Sequence, residues 1–128
     1  MQPCILIGLG SAIGGVVRYC CSELVAQYWI GSFPLGTLLV NLLGSFLIGI
    51  LAALTAPGAI FDGSVIMRQL LMLGFCGGYT TFSAFSLQTL DLIREGSLIL
   101  AGLNIGLSLL LCLVAVWIGA VLTEYFML

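Results

Sequence analysis

The sequence predicts an all-α membrane protein with four transmembrane helices, the third of which is broken in its middle. Hydrophobic residues make up 62% of the 128 residues, charged residues only 6%, and the mean hydropathy is +1.30. A soluble domain has about a quarter charged residues, so this composition requires lipid as the solvent. The apolar residues form four runs, each near the roughly 20 residues that span a bilayer. Within the third run, Gly77-Gly78 and the following Tyr79-Thr80-Thr81 favour helix poorly.

The first helix is predicted at about 3–29 and the second at about 34–54. Glu23, Tyr28 and Trp29 near the end of the first are typical of a membrane interface. The N-terminus lacks the basic region and cleavage site of a signal peptide, so we expect this helix to be retained. Pro34 suits a first helical turn, because its missing N–H would have no partner there.

The third helix is predicted at about 64–94 and the fourth at about 98–122. A loop with Pro57, Gly58 and Gly63 precedes the third helix, and the short turn 95–97 follows it. The tail 123–125 is expected at an interface. All four helices belong to one transmembrane domain, residues 1–128.

Composition excludes several classes of function. No histidine is present, and the five cysteines have spacings that fit neither a zinc site nor a disulfide framework. No nucleophile–base pair or metal cluster is apparent, so we predict that the protein is not an enzyme. The three basic residues form no patch for nucleic acid.

Orientation in the membrane is weakly encoded, because Arg18, Arg68 and Arg94 are the only basic side chains. Excess Lys and Arg normally mark the cytoplasmic loops. Here Arg68 and Arg94 fall on opposite sides, and the N-terminal amine lies opposite Arg94. Two interpretations stay open: a single weakly specified orientation, or dual topology with copies inserted both ways and paired antiparallel.

Polar residues form a stripe on each of two helices. Thr37, Asn41 and Ser45 share one face of the second helix, and Asn104, Ser108 and Cys112 share one face of the fourth. Such stripes either line a narrow polar path or hold helices together by hydrogen bonds. Asn41 and Asn104 favour the path, because a carboxamide has two N–H donors that are hard to satisfy by chance in lipid.

Two further features need a partner inside the membrane. Arg18 lies about halfway along the first helix, where it either snorkels, donates to carbonyls, or supplies a fixed charge beside an anion route. After the break in the third helix, Phe82 and Phe85 share a face. Their ring edges carry partial positive charge and could stabilise a small bare anion. Carbonyls freed by the break need partners, of which a cation is one.

Three segments together resemble one family. The stretch Gly77-Gly-Tyr-Thr-Thr-Phe-Ser-Ala-Phe-Ser86 resembles the core signature of the Fluc/CrcB fluoride channels. Gly14-Gly-Val-Val-Arg18 is similar to their first-helix Gly-x-x-Arg element, and Pro34-Leu-Gly-Thr-Leu-Leu-Val-Asn41 to the start of their second helix. The resemblance covers essentially the whole chain, and the third-helix motif is its most specific part.

The resemblance implies a passive channel that exports toxic fluoride, in the plasma (inner) membrane as a multi-pass protein. It implies an antiparallel dual-topology homodimer with two pores, surrounded by the lipid bilayer. The residues expected along the anion pore are Phe82, Phe85, Asn41, Ser108, Asn104, Thr37 and Thr81, with Arg18 in a vestibule or structural role. The backbone carbonyls of Gly77 and Thr80, from both subunits, are expected to hold a central structural Na⁺.

The sequence departs from the family pattern at Cys112, where a serine is common, and at Gln88, where a glutamate is common. A proton-coupled exporter of the small multidrug type is the alternative function. It needs a titratable carboxylate at membrane depth. The five carboxylates of the chain are those of Glu23, Asp62, Asp91, Glu95 and Glu124. All of them lie at predicted helix ends or in loops, which argues against the exporter.

Overall fold

The computed structural model describes residues 1–127, which are helical apart from short connections. The helices in chain order are α1 (Gln2–Tyr28), α2 (Leu35–Leu54), a π-helix (Ile66–Cys76), α3 (Gly77–Tyr79), α4 (Phe82–Arg94) and α5 (Leu98–Met127). The π-helix, α3 and α4 together form the third span, Ile66–Arg94. Four helices in the described residues are long and apolar enough to cross a membrane. The prediction of an all-helical protein with four such helices is confirmed.

The fourth helix continues past its predicted end at Leu122 and runs to Met127. The prediction ended it too early because Thr123 and Glu124 are polar. Thr123 is only 6% exposed, and its Oγ1 donates to the carbonyl of Gly119 at 2.8 Å. This bond satisfies the hydroxyl inside the helix, so the polar residue does not end it.

The spans pack as two close pairs, α1 with the third span and α2 with α5. Small residues make both contacts possible. A Cβ on Gly14 would overlap the carbonyl oxygen of Phe75, and one on Gly49 would overlap that of Val116. The helix backbones are therefore in contact at both crossings. This is typical of membrane proteins, in which close packing rather than hydrophobic burial drives helix association. Gly102 and Gly106, also a small-residue pair, face open space.

The third span changes conformation between α3 and α4. Thr80 has φ −81° and ψ 154°, and Thr81 has φ −148° and ψ 113°, so both are extended. Thr81 then begins α4 as its N-cap, because its Oγ1 accepts from the N–H of Ala84 at 3.2 Å. This cap satisfies one of the free N–H groups with which every helix begins.

A candidate ion pathway beside the extended Thr80-Thr81 segment

A cavity of about 410 Å³ opens beside Thr80 and Thr81. It lies between α2, the third span and α5, and two of its walls come from the polar stripes of the sequence. The residues that line it include Asn41, Gly44, Ser45, Cys76, Gly77, Thr80, Thr81, Phe82, Phe85, Ser108 and Cys112. Within the described part of the chain, none of its lining side chains carries a formal charge.

Asn41 joins α2 to the extended segment. Its Nδ2 donates to the carbonyl of Thr81 at 3.0 Å, and its Oδ1 accepts from the N–H of Thr81 at 2.7 Å. The side-chain amide thus replaces a peptide partner for an extended residue at membrane depth. Backbone outside a helix is tolerated there only with such partners.

The extended segment frees the backbone carbonyls of residues 77–80 from helical bonding, and that of Gly78 accepts from Arg18 instead. The carbonyls of Gly77 and Thr80 belong to residues that line the cavity. In a continuous helix the N–H of Thr81 would bond to the carbonyl of Gly77, and that of Ala84 to the carbonyl of Thr80. Here the Thr81 N–H goes to Asn41 and the Ala84 N–H to the Thr81 side chain. The carbonyls of Gly77 and Thr80 thus lose their helical donors.

Phe82 and Phe85 begin α4 beside the cavity. Their ring centroids are 5.3 Å apart and the ring planes are inclined at 45°. Phe85 is 8% exposed, whereas Phe82 is 75% exposed. Phe85 is therefore held in the fold of one chain, while Phe82 projects from its surface.

The α5 wall is built in two layers. Ser108 and Cys112 line the cavity. Asn104 is 1% exposed and is absent from the lining, so the structure places it behind the wall. Its Nδ2 donates to Thr89 Oγ1 at 2.9 Å, and its Oδ1 accepts from Ser108 Oγ at 3.4 Å.

Arg18 and Thr37 lie apart from this cavity. Arg18 Nε donates to the carbonyl of Gly78 at 3.3 Å, which matches the structural-donor interpretation among the three considered. Thr37 is 8% exposed and lines a second cavity of about 390 Å³. Gln88 lines the same second cavity, and its buried Oε1 lacks a hydrogen-bond partner among the described residues.

Sequence reasoning missed Thr89, which is 8% exposed and bonded to Asn104. A signal was present, because Thr89 follows Phe85 by one helical turn and so shares its face. Threonine within a helix commonly bonds back to the carbonyl four residues earlier, which makes its second bond invisible in the sequence. Only the approach of α5 reveals that Thr89 also accepts.

The residues that line the cavity therefore include hydroxyl side chains, two phenylalanine rings and residues with freed backbone carbonyls, without a full charge. Hydroxyl hydrogens and ring edges attract anions. Carbonyl oxygens are ligands for hard cations. The arrangement suits transient contact with a small ion better than covalent chemistry.

Comparison with known proteins identifies the family. Residues 5–120 match the family model described as CrcB-like protein, Camphor Resistance (CrcB). A protein of Methylocella silvestris is 50% identical over 115 residues, which are 90% of this chain and 88% of the relative. One from Opitutus terrae is 51% identical over 119 residues, or 93% and 90% of the two chains. Both are named "Fluoride-specific ion channel FluC".

The family resemblance seen in the sequence motifs is thus confirmed over nearly the whole chain. Together with the four spanning helices, it establishes a multi-pass membrane protein, whose place in a bacterium is the plasma membrane. The chain belongs to the CrcB-like family.

Proposed function

We propose that the chain is a fluoride-selective passive channel that exports fluoride across the membrane. The observation that carries the proposal is the uncharged cavity at Asn41, Phe82 and Phe85 in a chain about half identical to proteins named fluoride-specific ion channels. Fluoride is small and strongly hydrated, so a pore must replace its water with close donors. Fixed charges would bind it too tightly to let it leave.

The donors form an uncharged route for the ion. Phe82, Phe85 and Ser108 all line the cavity, and the proposed donors are the edges of the two rings and the Ser108 hydroxyl. The Ser108 bond to Asn104 is long, at 3.4 Å, and long hydrogen bonds are weak. Ser108 can therefore turn its proton toward an anion at little cost. Thr81 contributes its hydroxyl at the same cavity, although that hydroxyl also caps α4.

We place Thr37 and Asn104 differently in this pathway. Thr37 belongs to the second cavity, with Gln88, and would contact an ion only on its way in or out. Asn104 acts from behind the wall, through Ser108. Arg18 supports the third span by its bond to Gly78.

The working unit proposed is an antiparallel homodimer with two pores. Ser83 and Ser86 are exposed beside Phe82, although each hydroxyl already bonds within the third span, that of Ser83 with Thr81 Oγ1 and that of Ser86 with the Phe82 carbonyl. Their remaining lone pairs still favour a protein or water neighbour over lipid. A second copy in the opposite orientation would cover the polar face and complete each pore, which the near-zero charge bias permits.

A structural Na⁺ fits the carbonyls of Gly77 and Thr80. These are hard oxygen ligands without their helical donors, and one chain supplies two of them. An antiparallel copy would supply the same pair across the dimer axis, so that the oxygens surround one ion. The bound cation would add fixed positive charge to a core of low dielectric, where it favours an anion nearby.

Fluoride efflux from liposomes that contain the purified protein tests this function. We expect rapid fluoride efflux that is driven by the membrane voltage set by a K⁺ gradient. Chloride should not leave the same liposomes. Absence of fluoride efflux, or efflux that requires a proton gradient, would reject the passive channel. A proton requirement would favour the small multidrug type of exporter instead. The carboxylates of this chain argue against that function, because they are exposed at helix ends and in loops.

A further inference from the structure

A chain of buried hydrogen bonds runs behind the cavity wall and connects two of its faces. Thr89 Oγ1 donates to the carbonyl of Phe85 at 2.8 Å, and Asn104 Nδ2 donates to Thr89 Oγ1 at 2.9 Å. Ser108 Oγ completes it by donating to Asn104 Oδ1 at 3.4 Å. Phe85 and Ser108, at its two ends, both line the cavity.

The chemistry of Thr89 fixes the direction of this chain. A hydroxyl has one proton, and that of Thr89 is committed to the Phe85 carbonyl. Thr89 can therefore only accept from Asn104, which must present its NH₂ group. The Asn104 amide then has its oxygen toward Ser108, and the Ser108 proton is drawn toward that oxygen. Thr89 thus fixes which end of the Asn104 amide faces Ser108, although it does not line the cavity itself. At 3.4 Å the bond from Ser108 to that amide oxygen is weak, so Ser108 keeps its proton available to an anion.

The same bond fastens two helices that otherwise contact each other little. Among residues 1–127, the bond from Asn104 to Thr89 is the side-chain hydrogen bond that joins α5 to α4. Both side chains are more than nine-tenths buried, so water does not compete for the bond. The distance between the Phe85 ring and the Ser108 hydroxyl depends on how α4 lies on α5.

We propose that Thr89 and Asn104 are positioning residues, which lock α4 on α5 and so hold Phe85 opposite Ser108. The flux readout of this proposal rests on the proposed fluoride channel; the structural readout below does not.

Thr89→Val tests the proposal, because valine keeps the shape of threonine and removes the hydroxyl. Fluoride flux in liposomes should fall at least about tenfold, since the buried Asn104 NH₂ loses its partner and α4 can shift. Thr89→Ser keeps the hydroxyl and should stay within about threefold of the parent.

Thr123→Val is the matched control. Thr123 is 6% exposed and makes the same bond to the carbonyl four residues earlier, at 2.8 Å, but receives no bond from an asparagine. Its flux should stay within about threefold, because only the weak back-bond is lost. Retained flux in Thr89→Val, or equal losses in Thr89→Val and either Thr89→Ser or Thr123→Val, would overturn the proposal.

Nuclear magnetic resonance gives the readout that needs no flux. The chain has two asparagines, Asn41 and Asn104, so ¹⁵N-asparagine labelling gives two side-chain NH₂ groups. Thr89→Val should shift the Asn104 signals and leave those of Asn41 in place. Unmoved Asn104 signals would overturn the proposal whether or not the parent conducts fluoride. Absence of fluoride conduction by the parent would separately reject the proposed channel.

If Thr89→Val does not fold, NMR measurements on the parent protein test the proposal. The Asn104 NH₂ should then show through-space contact with the Thr89 methyl and exchange with deuterium more slowly than that of Asn41, which borders the cavity. Lack of that contact would overturn the proposal.

Discussion

Asn41 and Thr81 exchange two hydrogen bonds, at 3.0 and 2.7 Å, across the gap between α2 and the third span. The asparagine side chain acts here as a detached peptide group. It satisfies both backbone groups of an extended residue, as a neighbouring strand would. The pair also diverts the Thr81 N–H from Gly77, so a single side chain both stabilises the extended segment and frees a carbonyl.

Asn41→Leu should therefore destabilise the protein and abolish fluoride flux. It leaves the N–H and the carbonyl of Thr81 unpaired, at about 1–3 kcal/mol for each group. The free energy of unfolding in detergent and the liposome flux measure the two effects. Ser45→Ala is the control, because Ser45 lines the same cavity on the same helix. Equal stability of the two variants would contradict the role given to Asn41.

Phe82→Ile and Phe85→Ile should separate conduction from folding. Phe82 is 75% exposed, so its replacement should change the stability of the single chain by no more than about 0.5 kcal/mol. Phe85 is 8% exposed, and its replacement should cost up to about 1.5 kcal/mol.

Both variants should lower fluoride flux at least about tenfold, which equals roughly 1.4 kcal/mol and is within the range of one aromatic contact. Flux and thermal unfolding are measured on the same preparations, with the dimer checked by cross-linking. Unchanged flux in Phe82→Ile would remove the ring edge from the mechanism.

Gly44→Ala should disturb the extended segment from the α2 side. An added Cβ would overlap the Thr80 methyl and lie 3.2 Å from Tyr79 Cδ1. Overpacking of this kind costs about 1–3 kcal/mol, and here it pushes directly on Thr80. Unfolding in detergent and fluoride flux should both report the loss.

Gly8→Ala provides the comparison, because a Cβ at Gly8 meets nothing within 4 Å. It should leave the protein as stable as the parent or more so by up to about 1 kcal/mol, since alanine favours helix. If Gly44→Ala is as mild as Gly8→Ala, the close contact between α2 and Thr80 is not rigid.

Removal of Na⁺ should lower the thermal stability of the protein if the Gly77 and Thr80 carbonyls share a cation. Exchange of Na⁺ for N-methylglucamine should lower the thermal midpoint, because a ligand that binds only the folded dimer stabilises it by mass action. Titration with Na⁺ should restore the midpoint, and K⁺ should do so less well because it is larger. A midpoint indifferent to every cation would contradict a bound structural ion.

Much of the fold was predictable from hydrophobicity alone. Runs of about 20 apolar residues predict the number of spans, because such a run crosses the hydrocarbon core as a helix with its backbone hydrogen bonds satisfied internally. The end of α5 was not predictable, since the satisfied hydroxyl of Thr123 looks in sequence like the polar residue that ends a helix. The polar stripes predicted Asn41 and Ser108 along a polar path, and both line the cavity. The same pattern did not indicate that Asn104 lies behind the wall.

The sequence by itself determined that this is a membrane protein with four apolar spans. It predicted an interruption of the third span near Gly77 and Thr80, where the residues favour helix poorly. These are local properties, set by side-chain transfer energy and backbone preference along one segment. Only the tertiary structure decided which polar groups meet. Asn41 reaches Thr81 and Thr89 reaches Asn104 because separate helices approach within hydrogen-bond distance. Hydrogen bonds act over about 3 Å, so the pairing of donors and acceptors depends on helix packing that no stripe of residues specifies.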